Sequence, residues 1–299
     1  MKQRLALVEE LRTFASEKLG LPAERQYDRY TDLGLPYVVW VVFAAPEFSA
    51  EAKTWTYLLL SRLKYRDWLT ETAARREADD LKRAGYDVTM GGTEAYSTLG
   101  RLRDPVLNTF LHRSDADLAE LIFHELTRQA LFLRGDTDFN EALATAVGEY
   151  GARRWLQSKG LTRDLAVYDR QLRLKRRIIQ EILRTRDVLT QLYTATKNLP
   201  AEERRKLKTA AFTALRQKAA ALHAEEGVVL ARQPPLLNNA ALNSVAAYYT
   251  LLPGFEKHLQ HAGCMPAFLI AMERLKSLSK AERRASLYST PDSRQKIAR

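Results

Sequence analysis

The residues best placed to do chemistry lie in Leu121-Ile-Phe-His-Glu-Leu-Thr-Arg-Gln129 and, shortly after, in Asp138-Phe-Asn-Glu-Ala-Leu-Ala-Thr145. In the zinc-binding pattern His-Glu-x-x-His, two imidazoles four residues apart share one helix face and both reach a metal ion. The Glu between them is the general base that deprotonates the metal-bound water. A third ligand comes from a neighbouring helix, often a Glu preceded by Asn. Here His124 and Glu125 take the first two places and Asn140-Glu141 matches the third, but position 128 holds arginine. Glu149 lies eight residues beyond Glu141, about 12 Å further along the helix, and reads as a supporting carboxylate.

Two helices must present these groups. Ser114-Asp-Ala-Asp117 supplies an N-cap with an acidic first turn, and the apolar spacing predicts a helix to about Leu133. Asp138 and Glu141 read as a capping-box pair opening a second helix to about Trp155. Upstream, a helix over Gln3–Leu19 precedes three strands: Tyr37–Phe43 closed by Pro46, Trp55–Leu60, and a short Tyr86–Met90. A surface helix over Thr70–Ala84 separates the last two. Downstream, apolar stripes over Asp164–Ala195 and Glu202–His223, joined by Asn198-Leu-Pro200, predict an antiparallel helical hairpin. Helical patterns over Ala240–Leu251 and Ala267–Leu278 follow. The expected class is α+β: an N-terminal helix, a small sheet, the two site helices, then an all-α C-terminal part. The expected division is 1–155 and 156–299, with the hairpin at 164–223.

Beyond the half-motif, a collinear set of segments resembles a known family. It includes Arg4-Leu-Ala-Leu-Val-Glu-Glu, Tyr37-Val-Val-Trp with Phe43-Ala-Ala-Pro-Glu-Phe48, and Gly85-Tyr-Asp-Val with Ala95-Tyr-Ser-Thr-Leu-Gly100. It continues through Leu118-Ala-Glu-Leu-Ile-Phe-His-Glu125, Phe139-Asn-Glu141, Ala144-Thr-Ala-Val147, and Asn238-Asn-Ala with Ser244-Val-Ala-Ala-Tyr-Tyr249. The chain is similar to the predicted bacterial aminopeptidases, zinc enzymes related to thermolysin-like and leukotriene-hydrolase-like peptidases. The resemblance implies Zn2+ as cofactor, His124 and Glu141 as ligands, Glu125 as general base, and Tyr248 or Tyr249 polarising the scissile carbonyl. It also implies a peptide as substrate or ligand, aligned by a strand edge at Thr93–Thr98 that includes Tyr96, Ser97 and Thr98. Asn140 joins Glu149 as a supporting residue. Family members usually carry an N-terminal export or lipoprotein segment that this sequence does not show, so the chain as written is expected in the cytoplasm.

Arg128 is the departure that matters. Arginine stays protonated and offers a metal no lone pair. At ~4 Å and an effective dielectric near 20, a guanidinium and a dication repel by roughly 8 kcal/mol. Instead, Arg128 is placed to act as counter-ion to Glu125, three residues before it, and to Glu141 on the next helix. His112, His223, His258 and His261 are possible replacement ligands, and spacing favours none of them. Two readings follow: a zinc aminopeptidase with an altered site, or a metal-free relative that binds peptides or partners.

Composition narrows the field. Hydrophobic residues at 46% and charged at 28% describe an ordinary folded protein. A single cysteine, Cys264, excludes a disulfide scaffold and reads as a buried thiol. No apolar run is long enough to span a membrane. The net charge of +11 is concentrated in residues 151–220, with 18 Lys and Arg against 6 Asp and Glu. That segment lacks the aromatic interleaving of a single-strand binder, so no nucleic-acid partner is expected. Gly91-Gly92 makes no nucleotide fingerprint, and Ser97 lacks a glycine elbow.

Overall fold

The computed structural model describes residues 1–57, 61–227 and 237–289. The class is α+β, as expected. The chain forms two compact units. The first comprises Met1–Pro36, Glu94–Thr162 and the chain from Tyr248 onward; the second comprises Tyr37–Thr93 and Arg163–Ala247. Among the described residues, no helix is long and apolar enough to cross a membrane.

The first unit is built around α3 (Asp115–Ala130) and α4 (Thr137–Ser158), packed against each other and against α1 (Lys2–Leu19). A two-residue parallel pair, β1 (Tyr30–Thr31) with β7 (Val106–Leu107), ties the loop after α1 to the segment before α3. Nearly every residue of α4 from Thr137 to Leu156 is buried, which requires small side chains on the face nearest α3. Gly148 and Gly151 provide it. A Cβ at 148 would stand 2.8 Å from the Glu120 carbonyl oxygen, and one at 151 would stand 2.6 Å from the Phe123 ring. Phe123, Phe139, Ile122, Leu126 and Leu143 fill the surrounding space. Each buried side chain of this size contributes about 1.5–3 kcal/mol.

Both ends of α3 are specified locally. Ser114 Oγ accepts the Asp117 N–H at 3.2 Å, the expected N-cap. The helix stops at Ala130, three residues short of the expected Leu133. The reason is Asn140, whose side-chain amide accepts from Leu133 N and donates to Leu133 O, both at 2.8 Å. That pairing holds 133 out of the helix. The capping box expected at Asp138 and Glu141 does not form. Asp136 is the N-cap residue, without a side-chain cap bond, and Asp138 instead pairs with Arg284 at 2.8 Å.

The remaining helices of this unit are α8 (Leu252–Ala262), α9 (Met265–Arg274) and α10 (Lys280–Tyr288). The single helix expected over Ala267–Leu278 is α9 followed by one tight turn at Leu275–Ser277. The last helix closes on both neighbours. Gly254 of α8 packs on the Leu287 backbone, and Arg283 reaches Asp136, 2% exposed, at 2.9 Å. Cys264, expected to be buried, is exposed at the start of α9.

The second unit contains a three-stranded antiparallel sheet in the order β5 (Arg66–Trp68), β2 (Val39–Pro46), β6 (Tyr86–Thr93). Strand β6 is longer than the sequence suggests, because Gly91 and Gly92 continue the ladder opposite Val41 and Trp40. Helix α2 (Glu71–Arg83) lays Ala74, Ala78 and Leu81 on Val42, Ala44 and Val88. Its N-cap, Thr70, accepts the Ala73 N–H. Strands β3 (Trp55–Tyr57) and β4 (Ser61–Leu63) form a separate ribbon. The remainder of the strand expected over Trp55–Leu60 lies outside the described residues. Helices α5 (Thr162–Ala195) and α6 (Ala201–Glu225) make the antiparallel hairpin, packed through Leu189, Tyr193, Phe212 and Leu215. Helix α7 (Asn239–Tyr249) adds Leu242 to the same cluster.

Candidate functional site

The close approach of α3 and α4 brings four of the anticipated side chains together. His124 Nε2 stands 3.4 Å from Glu141 Oε2. Arg128 reaches both carboxylates: Nη1 is 3.4 Å from Glu125 Oε2, and Nη2 is 3.6 Å from Glu141 Oε1. Helix spacing explains the first of these, since Glu125 and Arg128 are three residues apart on α3. The contact between Gly148 and His124 explains the others, because it sets α4 against the face that carries 124 and 128; a Cβ at 148 would lie 3.4 Å from His124 Cβ.

The carboxylates are the most enclosed members. Burial, the largest single influence, pulls the Glu141 carboxyl upward, but the Arg128 guanidinium, His124 and a hydrogen bond from Tyr248 together outweigh it. The result lies below the usual carboxylate value, so Glu141 is ionised. Tyr248 stacks on His124, with ring centroids 6.3 Å apart and planes 27° from parallel. Tyr249 is one ring further out, 6.5 Å from Tyr248. The geometry therefore distinguishes the two tyrosines: Tyr248 is the one beside the histidine.

The other anticipated residues are placed differently. Asn140 supports the site indirectly, through its double bond to Leu133 in the turn that joins the helices. Glu149 is buried further along α4. Tyr96, Ser97 and Thr98 do not lie in a strand. Strand β6 ends at Thr93, and the backbone then turns, with Ser97 Oγ accepting Leu99 N–H and Asp104 accepting Thr98 N–H. Of the possible replacement ligands, His112 is exposed and near Glu94, and His258 faces the Ser286 carbonyl.

One residue of the site has no signal in the sequence. Tyr27 sits in the loop after α1 with a left-handed backbone, φ 56°, rare for a tyrosine. Its N–H donates to Asp104 O at 2.7 Å, and Asp104 in turn accepts from Gln129, one turn beyond Glu125 on α3. The Tyr27 ring packs edge-on against Phe110. Its hydroxyl is buried and has no hydrogen-bond partner among the described residues. Burial pushes the phenol well above its usual range, and Glu125 and Asp104 act in the same direction against Arg128.

The donor set does not fit a zinc ion. Catalytic zinc takes three protein ligands and a water. His124 and Glu141 supply two, and the third place holds a guanidinium that can only donate hydrogen bonds. Among the described residues, no group of three or more His, Cys, Asp or Glu side chains is arranged to hold a metal. What the arrangement can do is bind. It presents two enclosed carboxylates, a cation between them and an aromatic wall.

Residues 1–287 match the family model described as Putative aminopeptidase. No curated protein and no solved structure matches the chain.

Proposed function

Because the chain belongs to the Putative aminopeptidase family, we propose that it recognises peptides but does not hydrolyse them. The observation that supports this reading is the position of Arg128, 3.4 Å from Glu125 and 3.6 Å from Glu141. The guanidinium puts one positive charge between two buried carboxylates, where a zinc site would put a divalent ion. The fold is kept stable without a metal, because an uncompensated buried carboxylate costs several kcal/mol. Glu125 is held as an ion-pair partner. Hydrolysis of an amide needs a polarised carbonyl and an activated water together; with Arg128 in the third ligand place, only hydrogen-bond donors such as Arg128 and Tyr248 remain to polarise the carbonyl.

The deciding measurement is zinc content and turnover of protein purified without chelator. We expect well under one zinc per chain and no release of an aminoacyl reporter. Stoichiometric zinc that disappears in His124→Ala, or turnover abolished by a chelator, would make the protein a zinc peptidase with an altered ligand set.

A further inference from the structure

The cation between the two carboxylates holds them at arm's length. Guanidinium–carboxylate hydrogen bonds normally run at about 2.7–2.9 Å; Arg128 stands 3.4 and 3.6 Å away. Oε2 of Glu141, a residue 2% exposed, makes no hydrogen bond of ordinary geometry among the described residues. His124 Nε2 faces it from 3.4 Å. The exposure is uneven too: 18% of the Arg128 side chain and 15% of His124 reach solvent, against 7% of Glu125 and 3% of Glu141. Arg128 is thus the rim of the site and the carboxylates are its floor.

A long rim side chain can swing into water while the floor stays in place. The floor cannot be left without a cation, since removing one partner of a buried pair strands the other. Any departure of Arg128 must therefore be coupled to the arrival of another positive group. Resting on the peptide-binding reading above, we propose that Arg128 is an internal stand-in for the ligand's own cation. The α-ammonium of a peptide displaces the guanidinium and takes Glu125 and Glu141 as its partners. A compact ammonium carries three donors on one nitrogen, enough for Glu125 Oε2 and both oxygens of Glu141. The wild-type protein is then self-inhibited, and its apparent affinity is reduced by the fraction of molecules in which Arg128 occupies the floor.

The test compares trialanine amide with N-acetyl-trialanine amide by calorimetry on wild type, Arg128→Ala and Arg128→Gln. We expect the free-amine peptide to bind wild type, to bind both variants at least tenfold more tightly, and the acetylated peptide to bind none of them. Weaker binding to the variants makes Arg128 a ligand contact and overturns the proposal. Equal binding of the acetylated peptide also overturns it, while leaving peptide recognition intact. Absence of binding by either peptide sinks the reading above, and this one with it. Should the variants not fold, wild type gives a direct readout: the Arg128 Nε–H signal, assigned by its loss in Arg128→Lys. Saturation with the free-amine peptide should speed its exchange with solvent, and unchanged or slower exchange overturns the displacement.

Discussion

Gly148 and Glu120 are in backbone contact: a Cβ on the glycine would lie 2.8 Å from the Glu120 carbonyl oxygen. That distance fixes how closely α3 and α4 approach, and so whether His124 and Arg128 reach Glu141 at all. Gly148→Ala is expected to cost about 1–3 kcal/mol through overpacking, because the obstacle is a carbonyl and not a flexible side-chain end. Chemical denaturation measures it. An unchanged midpoint would mean that the helices adjust freely, and that their spacing does not set the site.

The Glu141 carboxyl titrates below its unfolded value in the native protein. A depressed acid contributes stability that is fully present above the unfolded value, roughly 4.3 for a glutamate. That contribution is lost as pH falls through the folded value. Glu141→Gln should therefore flatten the acid limb of the stability curve below about pH 4.3. Urea midpoints of wild type and variant between neutral and acid pH check this, and parallel curves would contradict it.

Removing the Tyr27 hydroxyl should cost nothing. A buried hydroxyl without a partner carries a desolvation penalty of about 1–3 kcal/mol, so Tyr27→Phe is expected to match or exceed the wild-type melting temperature. Tyr27→Ala empties the space beside Phe110 and should cost about 3–5 kcal/mol, as other aromatic truncations do. If the Phe variant melts well below wild type, the hydroxyl is bonded in solution.

Arg128→His rebuilds the full ligand pattern on a helix face that already aligns positions 124 and 128. The change costs only a fraction of a kcal/mol in helix propensity. The variant is expected to bind zinc where wild type does not, and to hydrolyse an aminoacyl reporter. Arg128→His combined with Glu125→Gln should bind zinc without turnover. A folded Arg128→His protein without zinc would show that Glu141 is not poised as a ligand.

The basic stretch is expected to leave nucleic acid alone. Five of its cations are engaged by neighbours: Arg177 with Glu225, Arg170 with Glu226, Lys218 with Glu181, Arg205 with Glu47 and Lys208 with Asp87. Sub-micromolar binding of single- or double-stranded nucleic acid at physiological salt, where nonspecific contacts weaken steeply, would contradict this.

The helices of the site were legible because helix periodicity is rigid. Once His124, Glu125 and Arg128 are placed on one helix, their mutual spacing follows, and Asn140-Glu141 marks its neighbour. The hairpin was legible for the same reason, with Pro200 closing its turn. Other features depend on contacts that no local pattern encodes. Tyr27 lies in an aperiodic loop and adopts a backbone that its residue type disfavours. Gly254 looks like a helix breaker, yet it is a contact residue inside α8. Gly91 and Gly92 look like the end of a strand, and cross-strand pairing with β2 overrides them. Asn140 cuts α3 short from outside the helix, and nothing within α3 itself announces the stop.

The bond between Arg283 and Asp136 spans 147 residues of chain. Asp136 and Asp138 open the helix that carries Glu141, and their counter-ions Lys280, Arg283 and Arg284 all belong to the last described helix. During synthesis, therefore, the start of α4 leaves the ribosome with two acidic side chains that must wait for α10 before they can be enclosed. At 5–20 residues per second, the 147 intervening residues correspond to a delay of about 7–30 s. Until then, water must solvate both aspartates, and α4 cannot settle fully beneath its neighbours. The start of the helix that carries Glu141 is in this sense secured late, by side chains of α10.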